Sequence, residues 1–304
     1  MSLLPLILSV LAIAEFVLGN FANIFIALVN GIDWFKGQKL SCADGILTAL
    51  AVSRIGFLWV ILLNWYATMY NPGFYSLEVR IIVYTAWLVS NHFGLWLAVS
   101  LSIFYLLKIA NFSSLFFLHL KWKAKRVVLI VLLGSLVFLF SYLADMSLKL
   151  KMKMNNNKGN VTWVTNLEHI LHLSDMTVFT IVLIIPFTMS LTTLLLLLFS
   201  LWKHLKKMQL SRKGSQDAST KVHVRAMQTV ISFLLFFFIY FLARITSIWN
   251  SNNLQNNSVA MLCQVLELLC CSVHSFVLIW GNKKLRQAIL SFLSQLKYWV
   301  KENK

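Results

Sequence analysis

Long apolar runs alternate with short polar segments along this chain, and seven of the runs are long enough to cross a bilayer as helices. The stretch Tyr84–Lys108 (YTAWLVSNHFGLWLAVSLSIFYLLK) organises the rest. From Trp87 to Lys108 a helix would rise roughly 31 Å, enough to touch both faces of a membrane. The predicted spans are about Leu3–Val29, Ile46–Tyr70, Arg80–Leu107, Val127–Ser147, Thr177–Trp202, Ala226–Trp249 and Val259–Trp280. Pro5 is tolerated in the first turn of the first span, whereas Pro186 inside the fifth frees a carbonyl and predicts a kink. Asn71-Pro72-Gly73 predicts a turn. Leu148–Met176 reads as the longest polar loop. After Gly281-Asn282, Leu285, Ile289, Phe292, Leu293 and Leu296 recur at helical spacing with Lys283, Lys284, Arg286 and Lys297 around them. This predicts a short amphipathic helix lying in the interface beside acidic lipid. The fold class is therefore an all-α membrane protein, a seven-helix bundle over residues 1–280 with a tail, 281–304, carrying the interfacial helix.

Charge sets the expected orientation. Only 12% of the 304 residues are charged, about half the fraction of a soluble domain. The net charge of +17 then reads as positive-inside bias rather than as a nucleic-acid surface. Twenty Lys and Arg fall in the first, third and fifth loops and the tail, against five on the other side. The amino terminus is expected outside and the tail inside, in a multi-pass protein of the plasma membrane. The run Leu3–Val29 is too long for the core of a signal peptide and has no basic residue before it, so it reads as the first span. The sequons Asn160-Val-Thr and Asn256-Asn-Ser then fall outside, and Asn111-Phe-Ser inside. Asn160 is the expected glycan site and Asn256 the second candidate.

Candidate chemistry is sparse. No nucleophile, base and orienting group assemble at recognisable spacing, so neither an enzyme nor a cofactor is expected. Cys42, Cys263, Cys270 and Cys271 have no acidic or histidine partners at ligand spacing, and the vicinal pair cannot bridge easily; neither a disulfide nor a metal site is expected. His169, His172 and Asp175 read as a solvated loop. A carrier would show paired intramembrane carboxylates or repeated broken helices, which are missing. What stands out is a polar and aromatic expected outer end: Trp65, Tyr84, Trp87, Asn91, His92, Tyr240, Gln264 and Glu267. Tyr84, Trp87, Asn91 and Leu95 share one helical face. That face reads equally as the wall of a small-ligand pocket or as part of an aromatic belt. Glu15 and Arg54 are costly in hydrocarbon unless paired; Ser275 and Asn23 are within reach as acceptors for Arg54, and Arg244 either snorkels or joins the pocket.

Several stretches, in order and on matching spans, carry a resemblance. They are Glu15-Phe16 with Gly19-Asn20, FIALVN (25–30), ILTALAVSR (46–54), NHF (91–93) with LWLA (95–98), SIFYLLKIANFS (102–113), LHLKWK (118–123), IPFT (185–188), FSLWKHLKKMQ (199–209) and HSFVLIWGNKKLRQ (274–287). By these the chain resembles the type 2 bitter taste receptors over nearly its full length. The resemblance implies a receptor for bitter small molecules, coupled to gustducin or another inhibitory-class G protein and acting through phospholipase C and calcium release. It implies a ligand pocket at Trp87, Asn91, Trp65, Tyr240 and Gln264, with Trp87 as the stacking platform, and an activation network of Arg54 and Ser275, to which Asn23, Tyr105 and His274 are added by position. Lys108, Lys121, Lys203, Lys207 and Arg225 are expected to face the G protein. Where rhodopsin-like receptors carry DRY and NPxxY, this chain has Phe104-Tyr105-Leu106-Leu107-Lys108 and His274-Ser275-Phe276-Val277-Leu278. One departure is Cys271, where many members have proline. A pheromone-type receptor and a small-solute carrier are the alternatives.

Overall fold

The computed structural model describes residues 3–70, 77–155, 161–211, 218–249 and 257–302, all but the short connections of them helical. The helices are α1 (Leu3–Phe35), α2 (Cys42–Tyr70), α3 (Leu77–Ile109), α4 (Leu115–Trp122), α5 (Ala124–Asn155), α6 (Val161–Ser211), α7 (Ala218–Trp249), α8 (Asn257–Gly281) and α9 (Lys283–Glu302). Seven of them, all but α4 and α9, are long and apolar enough to cross a membrane. The chain is thus a multi-pass seven-helix bundle.

The helices outrun the predicted spans because hydropathy marks the hydrocarbon slab, whereas backbone hydrogen bonding and capping decide where a helix stops. The segment expected as a loop from Leu148 continues α5 to Asn155, through Lys and Met residues of good helix propensity. On the other side of the connection α6 already starts at Val161 and continues through Pro186. At 51 residues α6 rises roughly 77 Å, more than twice the hydrocarbon thickness. The ends that carry caps are explicit. Gly37 takes φ +72°, and its N–H and that of Gln38 reach back to Trp34 and Asp33 carbonyls, a Schellman stop for α1. Ser41 accepts the Asp44 N–H at 3.1 Å and donates to the Asp44 carboxylate at 2.7 Å, starting α2. Asn282 Oδ1 accepts the N–H of Lys284 at 3.0 Å and so opens α9.

α3 is the most buried span; it packs against α2, α4, α5 and α6, while α8 packs against α1, α2, α7 and α9. Close approach of α1 to α2 and α8 depends on Gly19, where an added Cβ would meet Leu58 Cδ1 at 3.0 Å and Ser272 Cβ at 3.2 Å. Lys284 ties α9 to α1 through Asp33 at 2.5 Å and Asn30 Oδ1 at 2.9 Å. α9 buries Leu285 and Ile289 and leaves Leu290, Phe292, Leu293 and Leu296 exposed. Large apolar side chains such as Val10, Val17, Ile24, Trp59, Ile130, Val137 and Phe140 cover the outer faces of the spans, a surface suited to lipid.

Candidate functional site

Polar groups inside the bundle gather in three tiers: the first on α3, α5, α7 and α8, the second on α3 and α7, the third on α1, α2 and α8. In the first, Tyr84 and Trp87 of α3 stack at 5.7 Å, and the Tyr84 and Tyr142 hydroxyls share a hydrogen bond of 2.6 Å. Phe179 of α6 closes the aromatic group, 4.5 Å from Tyr142 and 6.4 Å from Trp87. Arg244 of α7 places its guanidinium 4.4 Å above the Trp87 ring. Its Nη1 donates to Glu267 Oε1 of α8 at 3.0 Å, with both residues buried. Periodicity alone left Arg244 between snorkelling and joining this group; the structure puts it in the group, on the face of Trp87.

The second tier is one contact: the Tyr240 hydroxyl donates to Asn91 Oδ1, joining α7 to α3. Below it opens a cavity with about 50 Å³ of space for the centres of water-sized molecules, several times the roughly 10–15 Å³ that one water needs. Asn91, Ser90, Gly94, Phe233, Phe236, Phe237, Tyr240, Cys270 and Cys271 line it, and Arg54 and His274 form its far end.

Those two residues belong to the third tier. Arg54 donates from Nη1 to Ser275 Oγ at 3.0 Å and from Nη2 to His274 Nδ1. The Ser275 hydroxyl donates to Asn23 Oδ1 at 2.9 Å, sharing its hydrogen with the Cys271 carbonyl at the same distance, and Asn23 Nδ2 donates to the Gly19 carbonyl at 2.8 Å. Arg54 therefore reaches Asn23 through Ser275, and α1, α2 and α8 are joined by one chain of hydrogen bonds. Ser272, three residues before Ser275, donates to Glu15 Oε2 of α1.

The other expected site residues are distributed more widely. Trp65 is buried in an apolar cluster with Leu8, Ala12, Met261 and Val265, against which Trp87 packs. Gln264 is half-buried one turn before Glu267. Neither lines the cavity. His92 turns toward α5: the Ser135 hydroxyl gives its proton to Leu132, so His92 Nε2–H donates to Ser135 Oγ, at 3.2 Å. Tyr105 packs beside Leu106, Leu197 and Phe117, apart from the Arg54 chain. Lys121 donates to the Ala110 carbonyl at 3.0 Å and to Asn111 Oδ1 at 2.8 Å, closing the connection between α3 and α4. Lys108 and Lys203 are exposed, Lys108 lying 5.9 Å over the Phe104 ring. The side chains of Lys207 and Arg225, and the sequons at Asn160 and Asn256, lie outside the described residues. Sequence reasoning missed the phenylalanines of α7 and Ser90 and Gly94 of α3; Phe233, Phe236, Phe237 and Tyr240 do keep helical spacing, the one signal that they share a face.

The chain matches the family described as Taste receptor protein (TAS2R) over residues 1–297. It is 58% identical to taste receptor type 2 member 66 of Pan paniscus over 99% of its own length and 97% of the relative's. With the same coverage it is 56% identical to taste receptor type 2 member 31 of Pan troglodytes and to member 46 of Homo sapiens. A seven-helix bundle and a match of this extent leave one assignment: the chain belongs to the taste receptor type 2 family of G protein-coupled receptors.

Proposed function

We propose that this chain is a receptor for bitter small molecules in the plasma membrane, its amino terminus outside and Asn160 glycosylated, and that it couples to a gustducin-type G protein acting through phospholipase C and calcium release. The agonist enters at the Trp65–Trp87 end, stacks on Trp87 and hydrogen-bonds Asn91 or Gln264; Tyr84, Tyr240 and Glu267 shape the site around it, whereas His92, turned toward Ser135 of α5, does not. One observation carries this reading. The Asn91–Tyr240 contact stands between the Trp87 group and the cavity ending at Arg54 and His274, so a ligand that perturbs Asn91 acts on α7 and on the Arg54 chain together. Because Arg244 covers the face of Trp87 and Tyr84 stacks against the same ring, stacking by an agonist displaces one of the two. A ligand that binds one arrangement better shifts the population towards it, and a tenfold shift takes only about 1.4 kcal/mol of differential affinity. α6 and α7 then part at the ends carrying Lys203, Lys207 and Arg225, and with Lys108 and Lys121 these present a basic rim to an acidic G-protein surface. The apolar face of α9 rests on lipid.

The test is calcium release in cells expressing the chain with a gustducin-containing G-protein chimera, against a panel of bitter compounds. The expected result is a response that requires the G protein and weakens at least tenfold in Trp87→Ala at equal surface expression. Silence across the panel with confirmed surface expression overturns the reading.

A further inference from the structure

Beyond Asn91 and Tyr240, the lining of the cavity under Tyr240 is left unused by the agonist scheme. Arg54 is buried at 7% exposure and remains a cation in any ordinary protein setting. Among the described residues the ion pairs are Arg244–Glu267 and Lys284–Asp33, and no carboxylate contacts Arg54. A guanidinium carries five N–H donors, and the two bonds it makes here go to neutral groups, Ser275 and His274. A charge left in this state inside a membrane is costly until something neutralises it.

A second group makes the same demand. Arginine only donates, so the Nδ1 of His274 facing it must accept; in a neutral imidazole the proton then sits on Nε2. That Nε2 is buried and has no hydrogen-bond partner, and His274 lines the same cavity. Its ring meets Phe233 edge-on at 4.2 Å, which offers at most a weak N–H···π contact. The cavity therefore brings together an unneutralised cation and an unmet N–H, with no carboxylate on its wall.

We propose that this cavity binds a small monovalent anion, of which chloride is the physiological example. Arg54 supplies the charge and the Ser90 hydroxyl a donor on the cavity wall, and the unmet His274 Nε2–H adds positive potential from behind that wall. Phe233, Phe236 and Phe237 supply an apolar wall whose ring edges carry partial positive charge. A single cation with this wall suits a weakly hydrated monovalent ion; a divalent anion would be left half-neutralised. The cavity, with about 50 Å³ of space for the centres of water-sized molecules, admits such an ion with a little water; gluconate, a much larger and more strongly hydrated anion, serves as the reference. The bound ion would steady α2, α3, α7 and α8 in the arrangement that forms the cavity.

The experiment is thermal unfolding of the purified full chain in lipid nanodiscs, without agonist or G protein, as sodium chloride replaces sodium gluconate at constant sodium. The expected result is a saturable rise in Tm of about 2–4 °C, matched by bromide. Arg54→Gln removes the rise by removing the charge. Gly94→Val removes it by filling the cavity; a Cβ at Gly94 meets only Ser53 Oγ, at an ordinary 3.6 Å, so this variant keeps the test open if Arg54→Gln does not fold. No rise in the wild-type chain, or an equal rise in Gly94→Val, overturns the proposal; the latter would mean surface ions only. Agonist identity plays no part in the measurement, so its failure is separate from failure of the receptor reading.

Discussion

Two arginines are buried at similar exposure in this bundle, Arg244 at 8% and Arg54 at 7%, and their surroundings treat the charge in opposite ways. Arg244 has a carboxylate at 3.0 Å and an aromatic face at 4.4 Å. Arg54 has a hydroxyl and an imidazole, and a cavity beside it. A paired charge can be left in place permanently, because its electrostatic need is met within the protein. A charge held only by neutral acceptors keeps an appetite for something else, which suits a position whose partners change. The first arginine therefore reads as a clamp between α7 and α8 against the face of the Trp87 ring, and the second as the adjustable centre of the α1, α2 and α8 contacts.

The largest expected effect follows from breaking the clamp on its acidic side. Glu267→Ala leaves Arg244 buried without its counter-charge, at a cost of about 3–5 kcal/mol, read as a lowered Tm and reduced surface expression. The double variant Arg244→Met with Glu267→Leu should recover most of that loss, since well-packed apolar residues replace buried pairs at little net cost. If Glu267→Ala unfolds no more readily than the double variant, Arg244 has found another anion or water, and the contrast between the two arginines fails.

Arg54→Leu is the matching change at the other centre, and it should cost less, about 1–3 kcal/mol. It removes the charge along with its bonds and leaves only Ser275 and the His274 Nδ1 unmet. The same comparison of Tm distinguishes the two: an Arg54 loss larger than the Glu267 loss would mean that Arg54 is neutralised within the protein after all.

How far these contrasts were legible in the sequence depends on which physical signal each needed. The spans were legible because apolar length is a local property. Their ends were not, since propensity and capping carry α5 to Asn155 and α1 to the Gly37 stop. The shared face of Tyr84, Trp87 and Asn91 followed from spacing on one helix. The Arg244–Glu267 pair did not, because it depends on how α7 and α8 are rotated against each other, which neither helix's own periodicity contains. The same holds for His92, which occupies the position after Asn91 and so points about 100° away, towards Ser135 of α5. Reach across the bundle from Arg54 to Ser275 could be anticipated, because an intramembrane cation must find acceptors at its own depth.

The smallest effect should come from the contact between the two centres. Tyr240→Phe removes the hydroxyl that donates to Asn91 and keeps the ring that walls the cavity. The loss in stability should be about 1 kcal/mol, that of one neutral hydrogen bond. The effect on signalling is the sharper readout. If the bond belongs to the resting arrangement, its loss favours the active one by the same energy, and agonist-free calcium signalling rises roughly fivefold. Unchanged agonist-free signalling with a lowered Tm would place the bond in both arrangements equally; it would then brace α3 against α7 without favouring either. A fall would assign it to the active arrangement, and Tyr240 would link the Arg244 clamp to the Arg54 centre only after an agonist has bound.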